Sequence, residues 1–495
     1  MSRDRFVAVS LIAGLCWFGC KTLEPIDSGK NRTIPSPSVV YPMEPDPGPA
    51  SARPLDPEFD AINAPARSGA WLRVLVEMRE QIDSEALIRS AIARRLTRSQ
   101  ARREALDALS TVASRGAASL RPLLESLETE KLLEYSRGLR FRNRVFVSVR
   151  REALARLRAD PNVAAVIPEY DSVRAARAKR GNGLVQAPVV PPGDSWAVTY
   201  LGLRGLWAAG IDGRGTTIGV LDTGVMGTHR ALIGGRRETN SWFDPDGGSP
   251  EPIDTSPPHG SQVLGCAAAR EIDGRALGAA PGAAWSVGLS NVNNSYNNVT
   301  MSLAADWMIF EVQPDVVLES WGHGKANCDP RDRPQVLAML ATGIVPVFAI
   351  GNDGPDPASA QAPAAFAFSS DVAPIVVGGI DRHGSVIDSS SRGPSPCGAD
   401  RPVPDLVAPG NELPVPGAPN ATSLTLATGT SFAVGWVGGT AAMMLQVNPE
   451  LLPSEVIQLL RQTARDIGMP GPDNDSGYGV VAPEVAVKAA AASNR

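Results

Sequence analysis

Four side chains in this 495-residue chain have the types from which an acyl-transfer centre is built. Ser431 stands in GTSFAVGWVGG (429–439), at the head of an apolar run. A serine there could simply cap a helix, because its hydroxyl satisfies an orphan amide. As a nucleophile a neutral hydroxyl is weak. It needs a base to take its proton, and the base needs a carboxylate to fix its tautomer and stabilise the imidazolium. His259 opens HGSQVLG and is one of only four histidines in the chain, so its place before a helical stretch is informative. Asp222 ends TTIGVLD (216–222), just before Thr223-Gly224. Asn352 follows IVPVFAI in GNDGP, where its amide could donate to a developing oxyanion. Alone it would be a turn residue. Asp, His and Ser in that chain order supply the three roles.

Those positions require a scaffold. Apolar, β-branched runs recur at TTIGVLD, AWSVGL (284–289), DVVLES (315–320), IVPVFAI (344–350) and PIVVGGI (374–380). Helical stretches lie between them, at VTMSLAADWMIFEV (299–312) and PQVLAMLATG (334–343). Continuous apolar strands alternating with helices predict an α/β fold with a doubly wound, mainly parallel sheet buried on both faces. Parallel sheets carry their functional groups at the C-terminal ends of strands, where Asp222 and Asn352 fall. This unit is expected over 195–493, ending in the amphipathic LLPSEVIQLLRQTA (451–464) and one more helix.

A second unit is expected over 70–172. WLRVLVEM alternates as a strand, 85–131 has helical periodicity, RVFVSV (144–149) is a strand, and a short helix, a turn at Asp160-Pro161 and a last strand follow. That order predicts a small α+β domain. Residues 173–194 are basic and then proline-rich, an exposed linker and candidate cleavage zone. Charge divides between the units. Residues 71–180 hold 23 Lys and Arg against 14 Asp and Glu, whereas 181–495 hold 17 against 30. The split would help a basic domain dock on an acidic one if the two touch. The net charge of −5 and the ordinary 43% hydrophobic content carry no nucleic-acid signature.

The segments LDTGV, HGSQVLG, AIGNDGP, SSSRGP (389–394), DLVAPG (405–410) and GTSFA together resemble the subtilisin-like serine proteases, in that family's order over roughly 200–440. WFDPDGGSPEPID, DWMIF (306–310) and ESWG (319–322) are similar to the bacillopeptidase F-like branch. The resemblance implies an endopeptidase acting on proteins or peptides, with Asp222, His259 and Ser431 as triad and Asn352 as oxyanion donor. It implies that Ser320, Trp321 and Gly322 pair with extended substrate. It also implies that 70–172 is an inhibitory propeptide that is later cut away.

The chain departs from the family at Ser261, where Thr is common, and at Val263-Leu264, where Val-Ala is. After the nucleophile the family commonly has Ser-Pro-His-Val-Ala-Gly, and this chain has Val434-Gly435-Trp436-Val437-Gly438-Gly439. Each interior helix glycine costs about 0.8–1 kcal/mol relative to Ala unless close packing offsets it. No catalytic side chain is lost. The rival reading is a catalytically silent subtilase fold used as an envelope binding or scaffold protein. An esterase of α/β-hydrolase type does not fit, because the serine lacks a G-x-S-x-G elbow and the order is not Ser–Asp–His.

At the N-terminus, Arg3 and Arg5 precede an apolar run from Phe6 to Phe18, the length of a signal-peptide core. Gly19-Cys20 resembles a bacterial lipoprotein cleavage site, which would lipidate Cys20 and tether the protein to a membrane of the cell envelope. Simple secretion stays open as the alternative. The proline-rich stretch within 21–69 reads as a spacer. Three cysteines remain in the body. Cys266 sits in an apolar stretch, while Cys328 and Cys397 lie in polar loops and are candidates for a pair that sequence alone does not establish. DPDGG (244–248) and PDNDSG (472–477) are acidic but lack complete calcium-ligand spacing, so no metal or other cofactor is predicted.

Overall fold

The alternating WLRVLVEM forms β1 (Trp71–Met78), the first element of the residues this computed structural model describes. Those are 71–169, 171, 172 and 190–493, apart from 256, 293, 294, 325–327, 329, 367 and 400. The leader, Cys20, the proline-rich stretch and most of the 173–194 linker lie outside them.

After β1 come α1 (Ser84–Ala93) and α2 (Arg98–Thr129). The periodicity of 85–131 reads as one helix, but the chain breaks at 94–97, with Arg95 at φ 52°. Thr97 restarts it through a capping box: its hydroxyl accepts from Gln100 N at 3.3 Å, and the Gln100 side chain accepts from Thr97 N at 2.9 Å. Then follow β2 (Leu133–Leu139), β3 (Arg144–Arg150), α3 (Leu154–Ala159), β4 (Val163–Pro168) and β5 (Asp171–Ser172). Four of the strands form an antiparallel sheet in the order β2-β3-β1-β4. Strand β2 has no counterpart in the sequence reading. Its middle residues are exposed, so it is a polar edge strand without an alternating apolar signal.

The larger part opens with α4 (Trp196–Tyr200), α5 (Leu203–Ala208), β6 (Thr217–Asp222) and β7 (Trp242–Phe243). Next are α6 (His259–Ala268), β8 (Ala284–Leu289), β9 (Asn291–Val292), β10 (Ser295–Asn297) and α7 (Asn298–Trp307). Then come β11 (Val316–Glu319), α8 (Arg333–Ala341), β12 (Val345–Ala349), β13 (Ile375–Ile380) and β14 (Leu406–Pro409). A hairpin of β15 (Leu413–Pro416) and β16 (Leu424–Ala427) precedes α9 (Thr430–Val447), α10 (Pro453–Thr463) and α11 (Pro483–Ala492).

Seven strands make one sheet in the order β14-β13-β12-β11-β6-β8-β7, and its ladders are all parallel. The doubly wound α/β architecture is therefore the one the apolar runs predict. The order reverses beside β6, so Asp222 stands at a topological switch point. Helix α9 crosses β11 to β14 and packs against α6.

That packing gives the glycines after Ser431 a use. A Cβ on Gly435 would come 2.6 Å from Cys266 Cβ and 2.9 Å from Val263 O, both in α6. On Gly438 it would meet Leu318 at 2.3 Å, and on Gly439 it would meet Ala279 at 2.5 Å. A proline at 435 would not fit without moving α6. The glycines let α9 sit close to its neighbours, which offsets their low helix propensity. Cys266 is a buried free thiol in that seam, and Cys328 bonds to Cys397 across 69 residues.

The two parts touch broadly. Leu75, Leu139 and Phe146 of the small sheet bury against Val299 and Leu303 of α7. Across the interface the small part supplies cations to the larger part's anions: Arg73 to Asp246, Arg89 to Asp371, Arg98 to Asp315, and Arg140 to Asp306 and Glu311. The Arg333–Glu85 pair runs the other way.

Candidate active site

Strand β6 ends at Asp222, and its carboxylate is almost fully buried. Thr223 N donates to Oδ1 at 2.7 Å. His259, the first residue of α6, faces it with Nδ1 2.8 Å from Oδ1 and 3.0 Å from Oδ2. The other face of the ring lies against Phe432, centroid to centroid 5.8 Å, the residue after Ser431. Burial disfavours a charged imidazole here, yet the charge and hydrogen bond of Asp222, with the charge of Asp254, outweigh it and raise the His259 pKa.

A polar knot holds this pair in place, and the sequence reading missed it. Asp254 accepts from the Thr223 hydroxyl at 2.7 Å and from Ser261 N and Oγ at 2.8 and 2.6 Å. Thr223 Oγ1 in turn accepts from Gly260 N at 2.9 Å, and Ser261 Oγ from Met226 N at 2.7 Å. The end of β6 and the first turn of α6 are thus cross-linked on both sides of the Asp222–His259 pair. Burial pushes Asp254 up to about 6 despite these bonds, and the charge of Asp222 adds to the push. Ser261, the departure from the family's threonine, keeps the hydroxyl this knot uses.

Asn352 follows β12 in a loop against the start of α9. Its Oδ1 accepts from Thr430 N at 2.9 Å and from Thr430 Oγ1 at 3.1 Å. A backbone N–H can only donate, so the oxygen must face Thr430 and Nδ2 is turned the other way. Ser431 is the second residue of α9. Its Oγ donates to Ser320 O at 3.4 Å, and Ser320 Oγ donates to Ser431 O at 3.1 Å. Among the described residues Ser431 makes no hydrogen bond with His259. Such bonds are commonly loose without substrate.

Ser320, Trp321 and Gly322 continue directly from β11 beside Ser431. The Trp321 side chain belongs to the core rather than to an open cleft. Its indole donates to Glu319 at 2.6 Å, and the ring packs on Tyr296, His323 and Phe348. Any pairing with a substrate strand would therefore use the backbone of this segment. Burial lifts Glu319 to about 8 against the bonds it accepts from Trp321 and, at 3.2 Å, from Gln335 Nε2.

Facing this segment is another that sequence did not single out. Strand β10 pairs antiparallel with β5, Tyr296 opposite Ser172 and Asn297 opposite Asp171. Asn298 Nδ2 also donates to Pro168 O at 3.0 Å, and Asn297 Nδ2 to Glu169 at 3.0 Å. The tail of the small domain is laid along β10. The motif SYN is too short and polar to read as a strand, and it becomes one by pairing with β9 on one side and with β5 on the other.

No group of His, Cys, Asp or Glu among the described residues is arranged to hold a metal ion.

Residues 213–479, over half the chain, match the family model described as the subtilase family. An extracellular serine proteinase of Thermus sp. (strain Rt41A) is 30% identical over 70% of this chain and 75% of its own length. The chain belongs to the subtilase family. Bacillopeptidase F of Bacillus subtilis (strain 168) is 29% identical over 68% of this subtilase but only 25% of its own length. The major intracellular serine protease of the same organism is 29% identical over 52% of this subtilase and 79% of its own length. This subtilase thus spans a quarter of the length of one of its similar relatives and about three quarters of others.

Proposed function

We propose that this chain is a serine-type endopeptidase made as a zymogen. The observation that carries the reading is that the Asp222–His259 pair, Ser431 and Asn352, whose amide oxygen is tied to Thr430 beside Ser431, lie at one end of the sheet. In the reaction His259 takes the Ser431 proton as the hydroxyl attacks a peptide carbonyl. Asp222 stabilises the imidazolium, and Asn352 Nδ2 donates to the oxyanion. The protonated His259 then gives its proton to the leaving amine, and water repeats the cycle on the acyl-enzyme. The substrate lies extended between the Ser320–Gly322 backbone and β10.

Residues 71–172 act as the inhibitory propeptide in this reading, because β5 already occupies the β10 edge that a substrate would use. The chain is exported, and Cys20 is lipidated to anchor it on the envelope. The Cys328–Cys397 disulfide supports an oxidising compartment. Replacing Cys20→Ala is expected to move the protein from the membrane fraction to the soluble one, as read by fractionation; an unchanged distribution refutes the anchor.

The activity is tested at Asn352. Asn352→Ala removes the side-chain donor while Ser431 and His259 stay in place. We expect kcat on a peptide substrate to fall by about 10²–10³ with KM little changed, the loss known for such a donor in a relative from this family. A fall in KM-linked binding alone would remove Asn352 from the oxyanion role.

A further inference from the structure

The small domain reaches past the catalytic edge, along α1 and the first turns of α2, to the far end of the large sheet. In a parallel sheet the ends of each strand identify the two edges. Asp315 immediately precedes β11, while Ser320 immediately follows it. Gly343 precedes β12, and Asn352 follows it. Pro449 and Glu450 lie beyond the C-terminal end of α9, which is about 24 Å from Ser431 by helical rise. All four residues on the remote side are touched by α2.

The contacts are specific. Arg98 is buried, and its guanidinium donates to Gly343 O at 2.6 Å, Pro449 O at 3.1 Å and Asp315 Oδ1 at 2.5 Å. Arg102 donates to Thr342 O at 2.8 Å, Gln313 O at 3.0 Å and Pro314 O at 2.8 Å. Thr342 and Gly343 follow α8, Pro449 follows α9, and Gln313 and Pro314 follow the π-helical turn Met308–Val312 that continues α7, so these acceptors lie at helix ends that carry partial negative charge. Ser99 N and Oγ donate to Glu450 at 3.0 and 2.7 Å. Apolar packing joins them: Ile88, Ala105 and Leu109 enter the core cluster of the large part, and Ala91 and Ala101 pack with Leu452.

We propose that α1 and the first turns of α2 form a second anchor, independent of the active-site cleft, that holds the small domain on the enzyme after the connecting chain is cut. Its partner surface is the rear edge of the sheet, from Asp315 through Thr342-Gly343 to Pro449-Glu450. An inhibitor held only at the cleft leaves once its tail is displaced. With a second anchor, displacement of the tail frees one end only, and the domain reseats from a high effective concentration. Release of activity then depends on breaking the rear contacts as well. The proposal rests on the zymogen reading only for its biological meaning, since the contacts themselves are remote from catalysis.

The test uses full-length protein carrying Ser431→Ala, with a recognition sequence for a site-specific protease placed within residues 181–188. The chain is cut there by that added protease, and dissociation of the small domain after dilution is followed by size-exclusion chromatography. The parent is expected to stay paired. Arg98→Ala with Arg102→Ala is expected to dissociate on the order of 10²-fold faster, because truncating buried charge partners acts on the off-rate. Arg103→Ala, exposed on the same helix, is expected to match the parent. Dissociation of the Arg98→Ala, Arg102→Ala protein at the parental rate overturns the second anchor. Should that protein not fold, Glu450→Ala removes the acceptor of Ser99 from the other side, with faster release again expected and an unchanged rate again decisive. Absence of self-cutting in the wild type would sink the zymogen reading and leave this comparison intact, because the cut is supplied from outside.

Discussion

Ser431→Ala is expected to leave the full-length chain uncut and to lower kcat toward peptides by roughly 10⁶, the loss known for removing the nucleophile of a subtilisin. The wild type should be cut between about residues 170 and 195, where the small domain's tail leaves β10. N-terminal mapping of both proteins reads this directly. A fluorophosphonate probe should label the wild type at Ser431 and leave the variant unlabelled. The substitution is structurally mild, since Ser431 Oγ makes one long hydrogen bond, to Ser320 O at 3.4 Å. The close seam of α9 on α6 rests on Gly435 and Gly439 rather than on that hydroxyl. A folded variant without chemistry is therefore the expected product. Identical processing of both proteins, with no labelling of either, would instead favour a silent subtilase fold.

Part of this architecture was legible before any coordinates, and the physical reason differs from segment to segment. Strands β6, β8, β11, β12 and β13 are buried on both faces, so each needs an unbroken apolar run and announces itself in the sequence. The helix break at 94–97 was present as a signal, Thr97 three residues before Gln100, but the surrounding Ala, Leu and Arg periodicity masked it. Strand β2 gave none, because an exposed edge strand is free to be polar. Strand β10 is three residues long and is held by β9 and β5 on its two sides, so its own residues carry no alternating pattern. Asp254 illustrates the hardest case. A lone aspartate in a proline-rich loop has nothing to distinguish it until folding brings Thr223 and Ser261 within hydrogen-bonding distance. The triad candidates were legible through their neighbours, since LDTGV, HGSQVLG and GTSFA carry the small residues their turns require. The glycines after Ser431 looked like a departure in one dimension and fit a close approach in three.

Replacing Asp222→Asn should cost about 10⁴ in kcat at neutral pH and also move the pH profile. In the wild type, burial lowers the His259 pKa, but the Asp222 carboxylate and Asp254 raise it to a net value above the usual imidazole range. His259 must be neutral to accept the serine proton, so kcat/KM falls as pH drops through that raised value. Asparagine removes the charge and leaves burial, so the acidic limb should shift to lower pH. The geometry explains why the rate nevertheless collapses. Thr223 N donates to Oδ1 and holds an oxygen at that position, which puts the new amide nitrogen at Oδ2, 3.0 Å from Nδ1 of His259. An NH2 there can donate only to a bare ring nitrogen. It competes for Nδ1 with the retained oxygen 2.8 Å away, and every imidazole it captures carries its proton on Nε2, the nitrogen that must accept from Ser431. Lower acidic pKa with a large loss of kcat is the joint signature, read from kcat/KM and kcat against pH. A loss of rate with the acidic limb unmoved would mean that Asp222 does not set the charge state of His259. Combining Asp222→Asn with Ser431→Ala should lose no more than Ser431→Ala alone, since a base has no task once its nucleophile is gone.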